Sequence, residues 1–149
     1  MSTKTAEELA GMRAAGWAVR RTLEAMKHAV RPGVTTAEVD EAGAKVIRDG
    51  ARPAPAVVYG FPGVNLISVN DEAVHEIPGA RKIRKGGLVK LDVTIEKDGF
   101  MADAAMTIGV GKISEEKFRL MACAERAFHS AMKLHGLGCA YRRSEADRA

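Results

Sequence analysis

The sequence predicts an α+β fold in which helices pack on an antiparallel sheet. Two segments near the N-terminus each combine a capping box with apolar residues at helical spacing, which is typical of amphipathic helices. Farther along, the segment from Leu88 to Val110 alternates apolar and polar residues on both sides of Asp98-Gly99, and this pattern indicates a β-hairpin. At 149 residues the chain has the length of one ordinary domain, enough to bury a core.

The first helix is predicted to begin at Thr5, because Glu8 follows three residues later and completes a capping box. We expect this helix to end at Arg31-Pro32-Gly33, where proline and glycine interrupt the pattern. Its apolar positions recur at alternating spacings of three and four residues: Leu9, Met12, Gly16, Val19, Leu23, Met26 and Val30.

A second capping box, Thr35 with Glu38, predicts another helix that continues through Val46 and Ile47 to a C-terminal cap at Gly50. The two helices therefore occupy residues 5–50. Short strands and loops, including the β-branched run Val57-Val58-Tyr59, are predicted from residue 56 onward and lead into the hairpin, which ends near residue 111. A helix over 114–134 and an irregular tail over 135–149 complete the predicted single domain.

The composition excludes several classes of protein. With 46% hydrophobic and 28% charged residues, the chain has neither the signature of disorder nor an apolar run long enough to span a membrane. The acidic N-terminal residues fit neither a secretory signal nor a transit peptide, so we expect a cytoplasmic protein. Cys123 and Cys139 have no CxxC spacing, and they support neither a disulfide framework nor a cysteine zinc site.

Five basic residues crowd one stretch of a chain whose formal net charge is +4: Arg81, Lys82, Arg84, Lys85 and Lys90. Such a stretch fits either a patch for RNA, including ribosomal RNA, or a solvated turn before a strand. Aromatic residues make up only 5% of the chain and none interrupts this stretch, so we favour the solvated turn and expect no specific nucleic-acid partner.

The predicted hairpin places two aspartates near each other. If Asp98 and Gly99 form the turn, Asp92 faces Ala105 and Thr94 faces Asp103 across the ladder. Asp92 and Asp103 are then diagonal neighbours on one face of the sheet, with Cα atoms about 7–8 Å apart.

Two carboxylates held so close repel each other unless a proton or a cation lies between them. A pair of divalent metal ions that activates a water molecule would relieve the repulsion. Solvated aspartates on the open face of an antiparallel sheet would give the same pattern, and on spacing alone that simpler interpretation is favoured.

The wider sequence adds to this pattern. The segments GFPGVNLISVNDEAVHEIP, LVKLDVTIEKDGF and ADAAMT occur in the order and at the spacing that resemble the type I methionine aminopeptidases, which are dinuclear metallopeptidases with the pita-bread fold. The resemblance implies two divalent metal ions (Co, Mn, Fe or Zn), with Asp92 and Asp103 as ligands. It also implies that His75, in Val74-His75-Glu76-Ile77-Pro78, contacts the substrate and assists catalysis.

The resemblance further implies an apolar pocket for a methionine side chain, to which Phe61 and Leu66 would contribute. Thr94 is expected to lie next to the metal ligands without binding the metal itself. The sequence departs from the family at Glu76, where the family has glycine, so that a carboxylate stands beside the substrate-facing histidine. The expected substrate is the N-terminal methionine of peptides or nascent chains, with possible association with the ribosome and none with a membrane.

The family site has five protein ligands, of which a histidine and two glutamates come from a C-terminal half that is not recognisable in this sequence. We therefore expect this chain to correspond to the N-terminal half of the fold, to bind metal weakly and to be inactive alone. His28, His129 and His135 are interpreted as ordinary helix or loop residues.

Two alternatives remain. One is a non-catalytic pita-bread module that binds peptide, ribosome or nucleic acid. The other is a proline-directed peptidase of the same family, which we consider less favoured because such enzymes usually carry a large N-terminal domain.

Overall fold

The computed structural model describes residues 4–47 and 50–134 of the chain. The predicted combination of helices and an antiparallel sheet is confirmed. The chain divides into two compact units, Met1–Ile113 and Ser114–Ala149. The elements in chain order are α1 (Ala6–Ala29), α2 (Thr36–Ala44), β1 (Ala51–Pro53), α3 (Ala54–Tyr59), β2 (Leu66–Val69), β3 (Leu88–Lys97), β4 (Phe100–Gly109) and α4 (Glu115–Leu134).

Both predicted capping boxes are present. At the start of α1 the Thr5 hydroxyl accepts the Glu8 N–H at 3.1 Å, while the Glu8 carboxylate accepts the Thr5 N–H at 3.0 Å. At the start of α2 the same pair of bonds joins Thr35 and Glu38, at 3.2 and 2.8 Å. Each box satisfies main-chain N–H groups that the first helical turn leaves without partners, so local sequence alone sets where both helices begin.

The second helix ends earlier than predicted, at Ala44 rather than near Gly50. The main-chain N–H groups of Val46 and Ile47 bond to carbonyls three residues back, at 3.1 and 3.2 Å. An α-helix has bonds to the fourth residue back, so this shorter spacing marks the end of the α-helix. Val46 and Ile47 therefore lie beyond the helix and do not extend it.

The β-branched run Val57-Val58 also differs from expectation, because it lies in α3 and not in a strand. Pro55 fits near the start of this helix, where a missing N–H costs nothing, and Gly60 ends the helix in the left-handed conformation at φ 64°. The strand propensity of valine is outweighed here by the proline and glycine that bracket it.

The sheet is built around β3, which pairs antiparallel with β4 along one side. On its other side β3 pairs with β2 near its start and with β1 near its end. Alternate β3 residues point into the core against α1, and the other face carries the polar positions. The principal core residues of α1 and β3 are Val19, Leu23, Met26, Val89, Leu91, Val93 and Ile95.

The unit that begins at Ser114 is described only through α4, which starts where the sequence predicts. The Ser114 hydroxyl accepts the Lys117 N–H at 3.3 Å at the start of this helix. The predicted irregular tail over 135–149, with His135 and Cys139, lies outside the described residues. Across the described ranges no helix is long and apolar enough to cross a membrane.

Candidate metal centre

The hairpin that carries the two aspartates has the predicted register. Asp98 and Gly99 form the turn with φ values of 51° and 84°, as expected for two central residues that both require the left-handed region. Asp92 pairs with Ala105 and Thr94 pairs with Asp103. Asp92 and Asp103 therefore share the face of the sheet opposite the core.

The two carboxyl groups lie close enough to interact. A hydrogen bond between them, which contributes to raising the pKa of Asp92, requires a proton on one of the two groups. The pKa of Asp92 is raised, first because burial disfavours its charged form, then because the charge of Asp103 repels it, and further because of the shared hydrogen bond. A divalent cation would meet the same electrostatic need as this proton, so the pair has the donor chemistry of a hard metal site.

Thr94 and Leu66 flank the pair on β3 and β2. The Thr94 hydroxyl donates a hydrogen bond to Oδ1 of Asp103 at 3.1 Å, which orients that carboxylate. Leu66 pairs with Asp92 across the β2–β3 ladder and is 8% exposed. Because paired residues share a face, an apolar side chain lies beside the half-buried aspartate and contributes to its desolvation.

His75 lies near the pair, on the loop that follows β2. Its charged form is close enough to Asp92 to favour the ionised carboxylate and so to lower the pKa of Asp92, although the raising effects dominate. The main chain at His75 is left-handed, with φ 63°, which is uncommon for a residue with a side chain. The loop is attached to the sheet by the Ile67 N–H, which donates to the Glu76 carbonyl at 3.2 Å.

Lys90 holds the same loop from the sheet face, a role that sequence inspection missed. Its ammonium group donates to the carbonyls of Glu72 and Ala73, the latter at 2.8 Å. The Glu72 carboxylate in turn accepts the Val69 N–H and pairs with Arg81. Two members of the basic stretch therefore bind the His75 loop, and only part of that stretch is a solvated turn.

The predicted apolar pocket residues take different positions. The Phe61 ring lies beside Gly63 and near Pro78, the residue that closes the His75 loop, because a Cβ built on Gly63 would stand 3.0 Å from the ring and 2.9 Å from the proline. Glycine at 63 thus permits this close approach. Leu66 lies on the sheet beside Asp92.

A buried polar network that the sequence did not indicate anchors the chain where it enters β2. Asp40 of α2 accepts hydrogen bonds from the Val64 N–H at 3.0 Å and from both the main-chain and side-chain N–H groups of Asn65 at 2.8 Å. Asn65 is 1% exposed. Asp40 therefore ties α2 to the strand that carries Leu66 and leads to His75.

The two other described histidines, His28 and His129, lie beside residues of their own helices. His28 Nδ1 lies 2.6 Å from the Glu24 carbonyl in the last turns of α1, and exposed His129 lies 3.9 Å from Glu125 on the same helix. Within residues 4–47 and 50–134, no group of three or more histidine, cysteine, aspartate or glutamate side chains is arranged to hold a metal ion. The described residues thus present a two-carboxylate partial site.

Comparison with known proteins agrees with this geometry. Residues 10–143 match the model of metallopeptidase family M24. The chain is 41% identical over 136 residues to a methionine aminopeptidase from Staphylococcus epidermidis, covering 89% of this chain and 54% of the relative. It is 39% identical over 131 residues to one from Clostridium perfringens, covering 87% and 53%.

Among solved structures, methionine aminopeptidase from Thermotoga maritima superposes with a TM-score of 0.85 at 28% identity, covering 91% of this chain and 55% of that one. The chain spans about half the length of the relatives it matches. The family match over most of its length, together with the paired aspartates on one sheet face, shows that the chain belongs to metallopeptidase family M24 and has the N-terminal portion of the pita-bread fold.

Proposed function

We propose that this chain contributes the N-terminal part of a methionine aminopeptidase, which hydrolyses the first peptide bond of peptides or nascent chains in the cytoplasm and releases methionine. The observation that carries the proposal is that Asp92 and Asp103 share one face of the hairpin, close enough for Asp103 to raise the pKa of Asp92. The relatives over 85% or more of this chain that bear the name methionine aminopeptidase support the choice of substrate.

Asp92 and Asp103 would hold divalent metal, with Co, Mn, Fe and Zn as candidates. Bound metal lowers the pKa of a water molecule and polarises the scissile carbonyl. The residues around the pair would orient the ligands and the substrate. Thr94 orients Asp103 through its hydroxyl, and His75, whose charge acts on Asp92, would donate a hydrogen bond to the scissile amide.

Phe61 and Leu66 are proposed to receive the methionine side chain. Leu66 is the ladder partner of Asp92, so an apolar group bound against it would lie next to the reacting centre. Phe61 is only partly buried and borders the His75 loop through Gly63 and Pro78. An unbranched thioether side chain fits such an apolar surface because it adapts to irregular gaps.

The partial site has a consequence for activity. Two carboxylates without further ligands bind divalent metal weakly, because affinity depends on ligand number and geometry. We propose that activity requires additional ligands and a general base from polypeptide beyond the described residues, and that the 149-residue chain alone does not release methionine measurably.

The test is methionine release from a Met-Gly peptide in Mn²⁺ or Co²⁺, by this chain and by a chimera that continues with the unmatched C-terminal part of the Clostridium perfringens relative. We expect turnover by the chimera only, and its loss in the Asp92→Asn and Asp103→Asn chimeras. Asp98→Asn is the matched control, because it removes a carboxylate from the turn of the same hairpin while asparagine preserves the left-handed conformation.

Rapid turnover by the 149-residue chain would contradict the requirement for further ligands. A folded chimera without turnover would favour the alternative of a non-catalytic binding module.

A further inference from the structure

The only tryptophan of the chain, Trp17, stands on the solvent side of α1 and is 61% exposed. The buried residues of α1 lie on the opposite side of the helix and face the core: Ala15, Val19, Thr22, Leu23 and Met26. A large aromatic side chain in water forgoes the free energy that burial would supply. Trp17 therefore does not serve the core of the described fold.

Three arginines surround Trp17 on the same side of α1. Arg13 lies four residues before it, and Arg20 and Arg21 lie three and four residues after it, so all three are its neighbours on the helix surface. The Arg20 guanidinium lies 5.3 Å from the centroid of the indole ring, in cation–π contact. We refer to Arg13, Trp17, Arg20 and Arg21 as the arginine–tryptophan face.

The three arginines of this face are not neutralised by ion pairs. All three arginines are exposed, and in the described part of the chain none of their guanidinium groups forms an ion pair with a carboxylate. Glu24 lies one turn after Arg20 and Arg21 without forming an ion pair with either, so the three cations leave the face with a net positive charge. An anionic partner that also offers a flat π surface would neutralise this charge and cover the ring.

The basic stretch around residues 81–90 lacks this combination. Arg81 is paired with Glu72, and Lys90 bonds to loop carbonyls, so two of its five cations are already engaged. None of its residues is aromatic. This stretch offers charge alone, whereas the arginine–tryptophan face offers charge together with a stacking surface.

We propose that the arginine–tryptophan face binds single-stranded RNA. An unpaired base would stack on the Trp17 indole while the guanidinium groups of Arg13, Arg20 and Arg21 bond to neighbouring phosphates. Stacking on an aromatic ring and phosphate contact by arginine are the two interactions through which proteins hold single strands without reading sequence. RNA loops and ends present unstacked bases beside their phosphates, which is the geometry that this face fits.

The test uses the intrinsic fluorescence of Trp17, which comes from this residue alone. Titration of the 149-residue chain with an oligouridylate of about 12 nucleotides should quench the fluorescence to saturation. Binding should weaken as salt is added. A plot of the logarithm of the association constant against the logarithm of the salt concentration should have a slope of about −2, as expected for three phosphate contacts on a single strand. Heparin, which has charges but no bases, should not produce this quench.

Variants then separate stacking from charge, with affinity measured by anisotropy of labelled RNA. Trp17→Ala should weaken binding roughly 5- to 100-fold, and Trp17→Phe should retain most of it. The triple variant Arg13→Gln, Arg20→Gln, Arg21→Gln should lose most binding. Arg84→Gln, Lys85→Gln, Lys112→Gln removes the same charge elsewhere on the surface and should change affinity less than about twofold if the face is the site.

Equal loss in both triple variants would overturn the proposal, since binding would then follow net charge. Quenching by duplex RNA as strong as by oligouridylate would overturn it as well, because duplex bases are not free to stack. If phosphatidylserine vesicles quench the fluorescence and RNA does not, the face binds a lipid surface and the proposed RNA site is rejected. Circular dichroism of each variant confirms that α1 remains helical.

Discussion

Thr94 and Asp103 face each other across the β3–β4 ladder, and the Thr94 hydroxyl donates a hydrogen bond to Oδ1 of Asp103 at 3.1 Å. Asp103 also acts on Asp92, whose pKa it raises through its charge and a side-chain hydrogen bond. A single cross-strand pair therefore sets the orientation of one proposed metal ligand. The relationship follows from the register of the hairpin.

Replacing Thr94 by valine removes this hydrogen bond while keeping a β-branched side chain of similar shape in the strand. We expect Thr94→Val to weaken Mn²⁺ binding by roughly tenfold or more, the size of effect seen when a group that orients a ligand is lost. Thr94→Ser, which keeps the hydroxyl, should stay near the parent affinity. Isothermal titration calorimetry of the three proteins makes the comparison, and equal affinities for valine and serine would show that the hydroxyl does not orient the ligand.

The raised pKa of Asp92 predicts how stability depends on pH in the presence of a chelator. A raised pKa means that the folded chain binds the proton more tightly than the unfolded chain, so ionised Asp92 lowers the free energy of unfolding at neutral pH. Asp92→Asn should therefore be more stable than the parent at neutral pH. The difference in the free energy of unfolding between this variant and the parent should shrink as the pH falls from the raised pKa toward the ordinary carboxyl value. Urea unfolding across this range is the measurement, and a difference that does not vary with pH would be the contrary result.

Asp40 should be among the most sensitive polar positions of the fold. Asp40→Ala leaves the N–H groups of Val64 and Asn65 and the Asn65 amide without their acceptor in a buried place. We expect a loss of about 2–4 kcal/mol in the free energy of unfolding, since unmatched buried donors each carry a desolvation cost. Glu41→Ala, one residue along α2, breaks only an exposed ion pair with Lys45 and should cost under about 1 kcal/mol. Similar losses in the two variants would show that the Asp40 network is not a stabilising one.

Two helical glycines should respond in opposite directions to alanine. A Cβ on Gly43 would stand 2.8 Å from both the Asn65 amide nitrogen and Met26 Cγ, so Gly43→Ala should destabilise the fold by about 1–3 kcal/mol. A Cβ on Gly16 would meet nothing within 4 Å, and Gly16→Ala should stabilise by up to about 1 kcal/mol through helix propensity. Thermal unfolding distinguishes them, and a change of the same sign at both sites would contradict the packing around Gly43.

The features that could be predicted from sequence are those that local patterns determine. The Asp98-Gly99 turn sets a ladder with a period of two, so the facing of Thr94 and Asp103 followed by counting. The capping boxes at Thr5 and Thr35 located the first turn of each helix in the same way.

Contacts between residues that are distant in sequence could not be predicted from local patterns. Lys90 reaches carbonyls 17 and 18 residues away, and Asp40 reaches Asn65 across 25 residues. No local pattern signals these bonds, because each depends on how the sheet and helices pack. The helix at Val57-Val58 was missed for a related reason, since valine favours strands and only the flanking Pro55 and Gly60 argued otherwise. The exposure of Trp17 likewise became evident only once the buried side of α1 was known.

The central claim is that Asp92 and Asp103 form the metal-binding part of this fold, and calorimetric titration with Mn²⁺ tests it most directly. The parent chain should bind Mn²⁺ weakly, Asp92→Asn and Asp103→Asn should each abolish that binding, and Asp98→Asn should leave it unchanged. The reason is electrostatic, because two adjacent carboxylates are relieved by a cation whereas a carboxylate beside an amide is not. Binding that survives both Asp92→Asn and Asp103→Asn would contradict the assignment and place the metal elsewhere in the chain.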